Sequence, residues 1–124
     1  MSIRIVYAAL LLACSVACGS SSSPTTPSPT PAPSGPNVAA TIVANSATLT
    51  TTAFSPNPVA IAVGGTVTWT NRDVIAHTST ADGGAWNSGT IAAGGTFSRT
   101  FTSAGSFPYH CAIHPGMIGT VTVQ

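Results

Sequence analysis

Within seven residues the chain carries a thiol, an imidazole and a thioether, in the order Cys111-Ala112-Ile113-His114-Pro115-Gly116-Met117. Thiolate and thioether are soft donors that suit copper in both oxidation states, with imidazole as a borderline partner. Structural zinc wants a fourth strong ligand, usually a second cysteine, and methionine serves it poorly. Covalent haem attachment requires Cys-x-x-Cys-His, which is absent. One more imidazole completes a trigonal His₂Cys site with a weak axial thioether. His77 supplies it, 34 residues before Cys111. Pro115 biases His114 toward extended backbone, and Gly116 permits the positive φ that turns the chain back. Taken singly, His77 is an ordinary loop histidine, Met117 core filler and Cys111 a small buried hydrophobe. Their joint spacing is what argues for a metal site. His110, next to Cys111 in a strand, faces the opposite way and lies outside the shell.

These donors need a rigid frame, and the flanking sequence reads as strands. Val59, Ile61 and Val63 alternate with alanines; after Gly64-Gly65, Val67 and Trp69 alternate with Thr66, Thr68 and Thr70. Gly94-Gly95 leads to Phe97 and Phe101, Gly105 to Phe107 and Tyr109, and the chain ends in Gly119-Thr-Val-Thr-Val-Gln124. Val38 to Ala44 and Thr48 to Phe54 are further strand candidates. Short alternating strands separated by Gly, Pro and Asn turns predict an all-β antiparallel sandwich or barrel. No helix of useful length emerges. Ala81 to Gly89 reads as a glycine-rich loop anchored by Trp86, and Trp69 as core. Arg99 shares the Phe97/Phe101 face by alternation, which demands a bulge or an edge position.

Gly64-Gly65-Thr66-Val67-Thr68-Trp69-Thr70-Asn71 followed by His77, then Cys111-x-x-His114-x-x-Met117, resembles the cupredoxins, the small type 1 copper proteins. Phe54-Ser55-Pro56 and Gly105-Ser-Phe-Pro-Tyr109 also fit, and the likeness covers about residues 38 to 124. The short spacing of the last three ligands is most like amicyanin; plastocyanin has a longer gap before its methionine. The resemblance implies a Greek-key β-sandwich of about eight strands. It further implies one type 1 copper ion, with His77, Cys111 and His114 as strong equatorial ligands and Met117 as the weak axial one. Thr78 falls where relatives hydrogen-bond near the thiolate, so its hydroxyl is a candidate link between the two ligand loops. The implied function is a one-electron carrier cycling Cu(II)/Cu(I), not an enzyme, meeting protein redox partners near His114 through an apolar patch of Ala112, Ile113, Pro115 and Met117. A copper carrier or scavenger with the same ligands is the alternative, and a tethered interaction domain with an empty site a third.

Composition narrows the rest. Only five residues are charged, Arg4, Arg72, Asp73, Asp82 and Arg99, or 4% of the chain; soluble domains average about 25%. No basic stripe exists for nucleic acid, and two acidic residues provide no paired-carboxylate catalysis. Residues 1–18 read as an export signal, with Arg4 ahead of an apolar run too short to span a membrane. Cys14 and Cys18 each stand in a context like a bacterial lipobox, and Cys18 leads directly into a polar linker. The linker, residues 19–36, is Ser-, Pro- and Thr-rich and can form no core. Residues 37–124 form the expected folded domain, which keeps Cys111 as its lone thiol after processing; in an oxidising compartment such a thiol must be buried or metal-bound. The reading is therefore an exported monomer, periplasmic or at the cell surface, touching membrane only through a lipid on Cys18 or Cys14.

Overall fold

The computed structural model describes residues 36–124; the export signal, both candidate lipid-bearing cysteines and all but the last residue of the linker lie outside the described residues. Eight strands appear: β1 (Asn37–Ile42), β2 (Phe54–Ser55), β3 (Val59–Ile61), β4 (Thr66–Asn71), β5 (Thr80–Ala81), β6 (Thr96–Thr100), β7 (Gly105–His110) and β8 (Ile118–Val123). They form two four-stranded sheets, ordered β2-β1-β4-β6 and β3-β8-β7-β5. Among the described residues the helical content is one short 3₁₀ turn, Ser46–Thr48. The expected all-β, Greek-key sandwich is thus the fold. Two pairings, β1 with β4 and β3 with β8, are parallel rather than antiparallel. Each joins strands separated by an excursion through the opposite sheet, a crossover that hairpin-by-hairpin reading does not anticipate.

Alternation drives the packing. In β4, Val67, Trp69 and Asn71 point inward while Thr66, Thr68 and Thr70 are half-exposed. Across the outer face Thr66 and Thr68 exchange hydroxyl hydrogen bonds with Thr100 (2.7 Å) and Ser98 (2.8 Å) of β6. Cross-strand hydroxyl pairs of this kind stabilise a sheet without surface charge. Inside, Trp69 lies beside Tyr109, Trp86 and Phe97, with ring centroids 5.5–5.8 Å apart. Tyr109 fits only because its cross-strand partner is Gly119, where an added Cβ would come within 2.5 Å of the phenol ring.

Arg99 occupies the edge strand β6, half-buried on the inward side as alternation requires. Its guanidinium covers the rings of Trp86 (5.6 Å) and Phe101 (5.9 Å), a cation–π contact that caps the aromatic cluster. Trp86 is buried, and its indole N–H donates to Ser79 Oγ at 3.0 Å.

The expected strand over Thr48–Phe54 is mostly not one. Asn45 adopts the left-handed conformation (φ 59°), the 3₁₀ turn follows, and only Phe54–Ser55 pairs as β2. Thr48 returns both its N–H and its hydroxyl to the Asn45 carbonyl, and Asn57 Nδ2 captures the Thr51 carbonyl at 2.8 Å. Such local bonds compete with ladder formation, and here they override the β-propensity of threonine.

Tyr109 generates a prediction. Its hydroxyl is buried and completes no good hydrogen bond, although the Trp69 indole N–H lies toward it. Burial pushes the phenol up to about 12. The folded state therefore holds its proton where the unfolded chain has already lost it, and stability falls as pH rises from about 10 to about 12. Tyr109→Phe should leave stability at pH 7 within about 1 kcal/mol of the parent and flatten that alkaline loss. Denaturant midpoints measured across this range for both proteins test it, and equal alkaline slopes would refute it.

Candidate metal centre

The site forms where the loop after β4 meets the turn between β7 and β8. β4 ends at Asn71, whose buried side-chain amide donates to the Ile75 carbonyl (2.7 Å) and the Ile91 carbonyl (3.0 Å) and so shapes the loop beyond. His77 is fixed in that loop by a two-way backbone bridge to Ile91 (3.1 and 2.8 Å). Cys111 follows directly on β7. The turn closes when Met117 N–H donates to the His114 carbonyl (2.9 Å) and Cys111 N–H to the Met117 carbonyl (3.1 Å).

Three donor atoms converge. His77 Nδ1 lies 3.7 Å from Cys111 Sγ, Cys111 Sγ 3.8 Å from His114 Nδ1, and the two Nδ1 atoms 3.2 Å apart. The point equidistant from all three corners lies about 2.1 Å from each, which matches metal–nitrogen and metal–sulfur bonds of about 2.0–2.3 Å. His77 and Cys111 are fully buried and His114 partly so. Met117 is also buried, with its backbone tied to Cys111 and His114.

Thr78 holds the two ligand segments together. Its backbone N–H points at Cys111 Sγ (3.3 Å), and its hydroxyl accepts the Ala112 N–H (2.8 Å). The N–H to sulfur contact fixes the position of Sγ beside the two imidazoles. His110 lies outside this cluster, as strand alternation predicts. Its Nδ1 pairs with Asp82 Oδ1 at 2.5 Å, on the exposed side.

The structure adds two residues that spacing arguments pass over. Asp73 and Ser46 stand behind His77: Asp73 Oδ2 and Ser46 Oγ each lie 3.0 Å from His77 Nε2. Ser46 donates to Asp73 Oδ2 through its N–H (3.0 Å) and its hydroxyl (3.1 Å), and Val74 N–H donates to Oδ1 (2.7 Å). The His77 ring foremost, with these further donors, holds the Asp73 carboxyl well below the usual carboxylate range despite its burial. The available signal was an acidic residue four positions before a candidate ligand, in a chain with two acids. Ser46 has no such signal, because only the left-handed turn at Asn45 delivers it.

With this geometry in place, the comparisons agree. The family model for copper binding proteins of the plastocyanin/azurin family matches residues 41–124, and the chain belongs to that family. The chain is 39% identical to amicyanin from Paracoccus denitrificans over 71 residues, covering 52% of this chain and 53% of that protein. It is 36% identical to plastocyanin from Scenedesmus fuscus over 84 residues, covering 57% of this chain and 86% of that protein. The aligned region thus spans about half the length of the amicyanin. Among solved structures, a purple cupredoxin from Nitrosopumilus maritimus superposes with a TM-score of 0.65 at 32% identity, over 70% of this chain and 99% of that one. A copper(I) form of an amicyanin variant gives 0.61 at 27% identity, over 71% and 82%. Family and donor triangle together identify the cofactor as one copper ion of type 1.

Removing the Thr78 hydroxyl should loosen this centre. Thr78→Val orphans the Ala112 N–H and should cost about 1–2 kcal/mol in denaturant unfolding of the metal-free protein. An unchanged midpoint would show that the hydroxyl holds nothing.

Proposed function

We propose that the protein is a one-electron carrier, in which His77, Cys111 and His114 would be the strong copper ligands and Met117 the weak fourth one. The observation that carries this reading is the donor triangle itself, with sides of 3.2–3.8 Å and two of its three corners buried. Bound copper would supply a single electron by passing between Cu(II) and Cu(I). The chain's part is to keep the donors in place through that change and to exclude water from Cys111. Three donors held by hydrogen-bonded loops favour rapid transfer, since little nuclear motion is required. With Met117 as the fourth donor, the proposed ligand set leaves no open position for a substrate, which favours a carrier over an enzyme.

The route to a partner runs through His114, the partly exposed ligand. Ala112, Ile113 and Pro115 beside it are exposed, with Ile113 at 49%. Met117 belongs to the buried side, so the apolar patch expected from the sequence is smaller by that residue. The loop leading to His77 presents Val74 (85% exposed) and Ile75 (42%). We place this domain outside the cytoplasm, lipid-anchored through Cys18 or Cys14; the support is the sequence of residues 1–18 and the chemistry of a lone buried thiol.

Adding Cu(II) to the purified protein should produce intense visible thiolate-to-copper absorption, and Cys111→Ser should abolish it. A colourless parent protein would sink the copper-centre reading, and slow redox with ready hand-over of the metal would favour a copper carrier. The described residues hold two arginines against two aspartates, so long-range steering is weak. Electron self-exchange, measured by NMR line broadening, should change less than about threefold between low and high salt. A steep salt dependence would contradict docking through apolar surface.

A further inference from the structure

Asp73 is the chain's one acidic group among the described residues that is buried, where its carboxylate accepts from Ser46 and Val74 as well as facing His77. A buried carboxylate is costly unless a cation answers it. The arginines do not: Arg72 is exposed, and Arg99 lies over Trp86 and Phe101. The group facing Asp73 is His77, through Nε2 at 3.0 Å. On the opposite edge of the same ring, Nδ1 faces Cys111 and His114. Ser46, with its N–H and hydroxyl both given to Asp73 Oδ2, holds the carboxylate in line.

We propose that Asp73 is a positioning and tuning residue: it keeps the His77 proton on Nε2, turns the Nδ1 lone pair to the metal, and lends negative charge that favours Cu(II) over Cu(I). This inference rests on the copper-centre reading. The carboxylate accepts from Nε2–H, so the ring cannot take the other tautomer or flip without leaving that acceptor unmatched. Hydrogen bonding to an anion makes the imidazole a stronger donor, which benefits the more highly charged oxidation state. The neighbouring negative charge acts in the same direction.

The test is Asp73→Asn in the full chain loaded with copper. Asparagine keeps the size and an oxygen able to accept from His77 but removes the charge. The reduction potential should rise, with Cu(II) affinity falling about 10–100-fold; each tenfold change in the ratio of Cu(II) to Cu(I) affinity corresponds to about 59 mV in a one-electron couple. Ser46→Ala, which keeps the charge, should shift the potential less. An Asp73→Asn protein with normal visible absorption and an unshifted or lowered potential would overturn the role of Asp73 and leave the copper reading standing. A colourless parent would overturn that reading itself. Should Asp73→Asn fail to fold, long-range ¹⁵N correlation spectra of the diamagnetic Cu(I) parent decide the point. A His77 proton on Nε2 supports the proposal, and one on Nδ1 or absent from the ring overturns it.

Discussion

The metal end of this sandwich depends on the clasp between Thr78 and the Cys111–Ala112 segment. A thiolate and two imidazoles within 4 Å of one another do not assemble spontaneously, because ordering their loops costs conformational entropy. Two hydrogen bonds from one residue, N–H to Cys111 Sγ and hydroxyl from Ala112 N–H, join segments 33 and 34 positions apart in sequence. His77, adjoining Thr78, is thereby delivered to the thiolate along with it. The remaining loop bonds, from Ile91 to His77 and from Met117 to His114 and Cys111, only close each segment on itself.

Behind that clasp the two sheets act as a rigid mount. Seven aromatic side chains pack between them with Arg99 sealing one edge. Such interiors resist small displacements, since close-packed side chains have no slack to give. A site on the ends of β4 and β7 inherits this stiffness, which a carrier needs if its ligands are to stay put as the metal's charge changes. The same strands show why so few charges are required: paired threonine and serine hydroxyls dress the outer face of β4 and β6 instead.

Much of this was legible beforehand, and the physical reason is periodicity. Val67/Trp69 and Phe107/Tyr109 declare their inward face by alternation, and the Cys111–Met117 spacing declares a turn carrying soft donors. The awkward placement of Arg99, which left a bulge or an edge position open, is resolved by the edge strand β6. What could not be read was non-local or conformational. The parallel pairs β1–β4 and β3–β8 are decided by how crossovers pack, not by any one strand's pattern. Thr48–Phe54 carries β-forming residues that spend their backbone bonds on local turns. Asp73 and Ser46 reach His77 only after the 3₁₀ turn is folded against the end of β4, so no linear spacing announces them. Linear spacing carries the donor triangle, while the groups standing behind it are set by the three-dimensional fold.

Charge ties the site to the surface. Of the four charged side chains among the described residues, Asp73 is spent behind His77, Arg99 lies on aromatic rings, and Asp82 is paired with His110. Arg72 alone is left without an assigned internal contact, and it projects from the loop that carries Asp73. A partner of the proposed carrier would therefore meet little field to orient it until surfaces nearly touch. In the proposed carrier, orientation would then come from desolvating the apolar rim around His114, which rewards poses that bring the partner against that side chain. Removing charge from the surface and burying one carboxylate behind the metal are thus complementary. If the chain carries electrons as proposed, the first leaves short-range fit to select the docking pose, and the second would set what the electron finds on arrival.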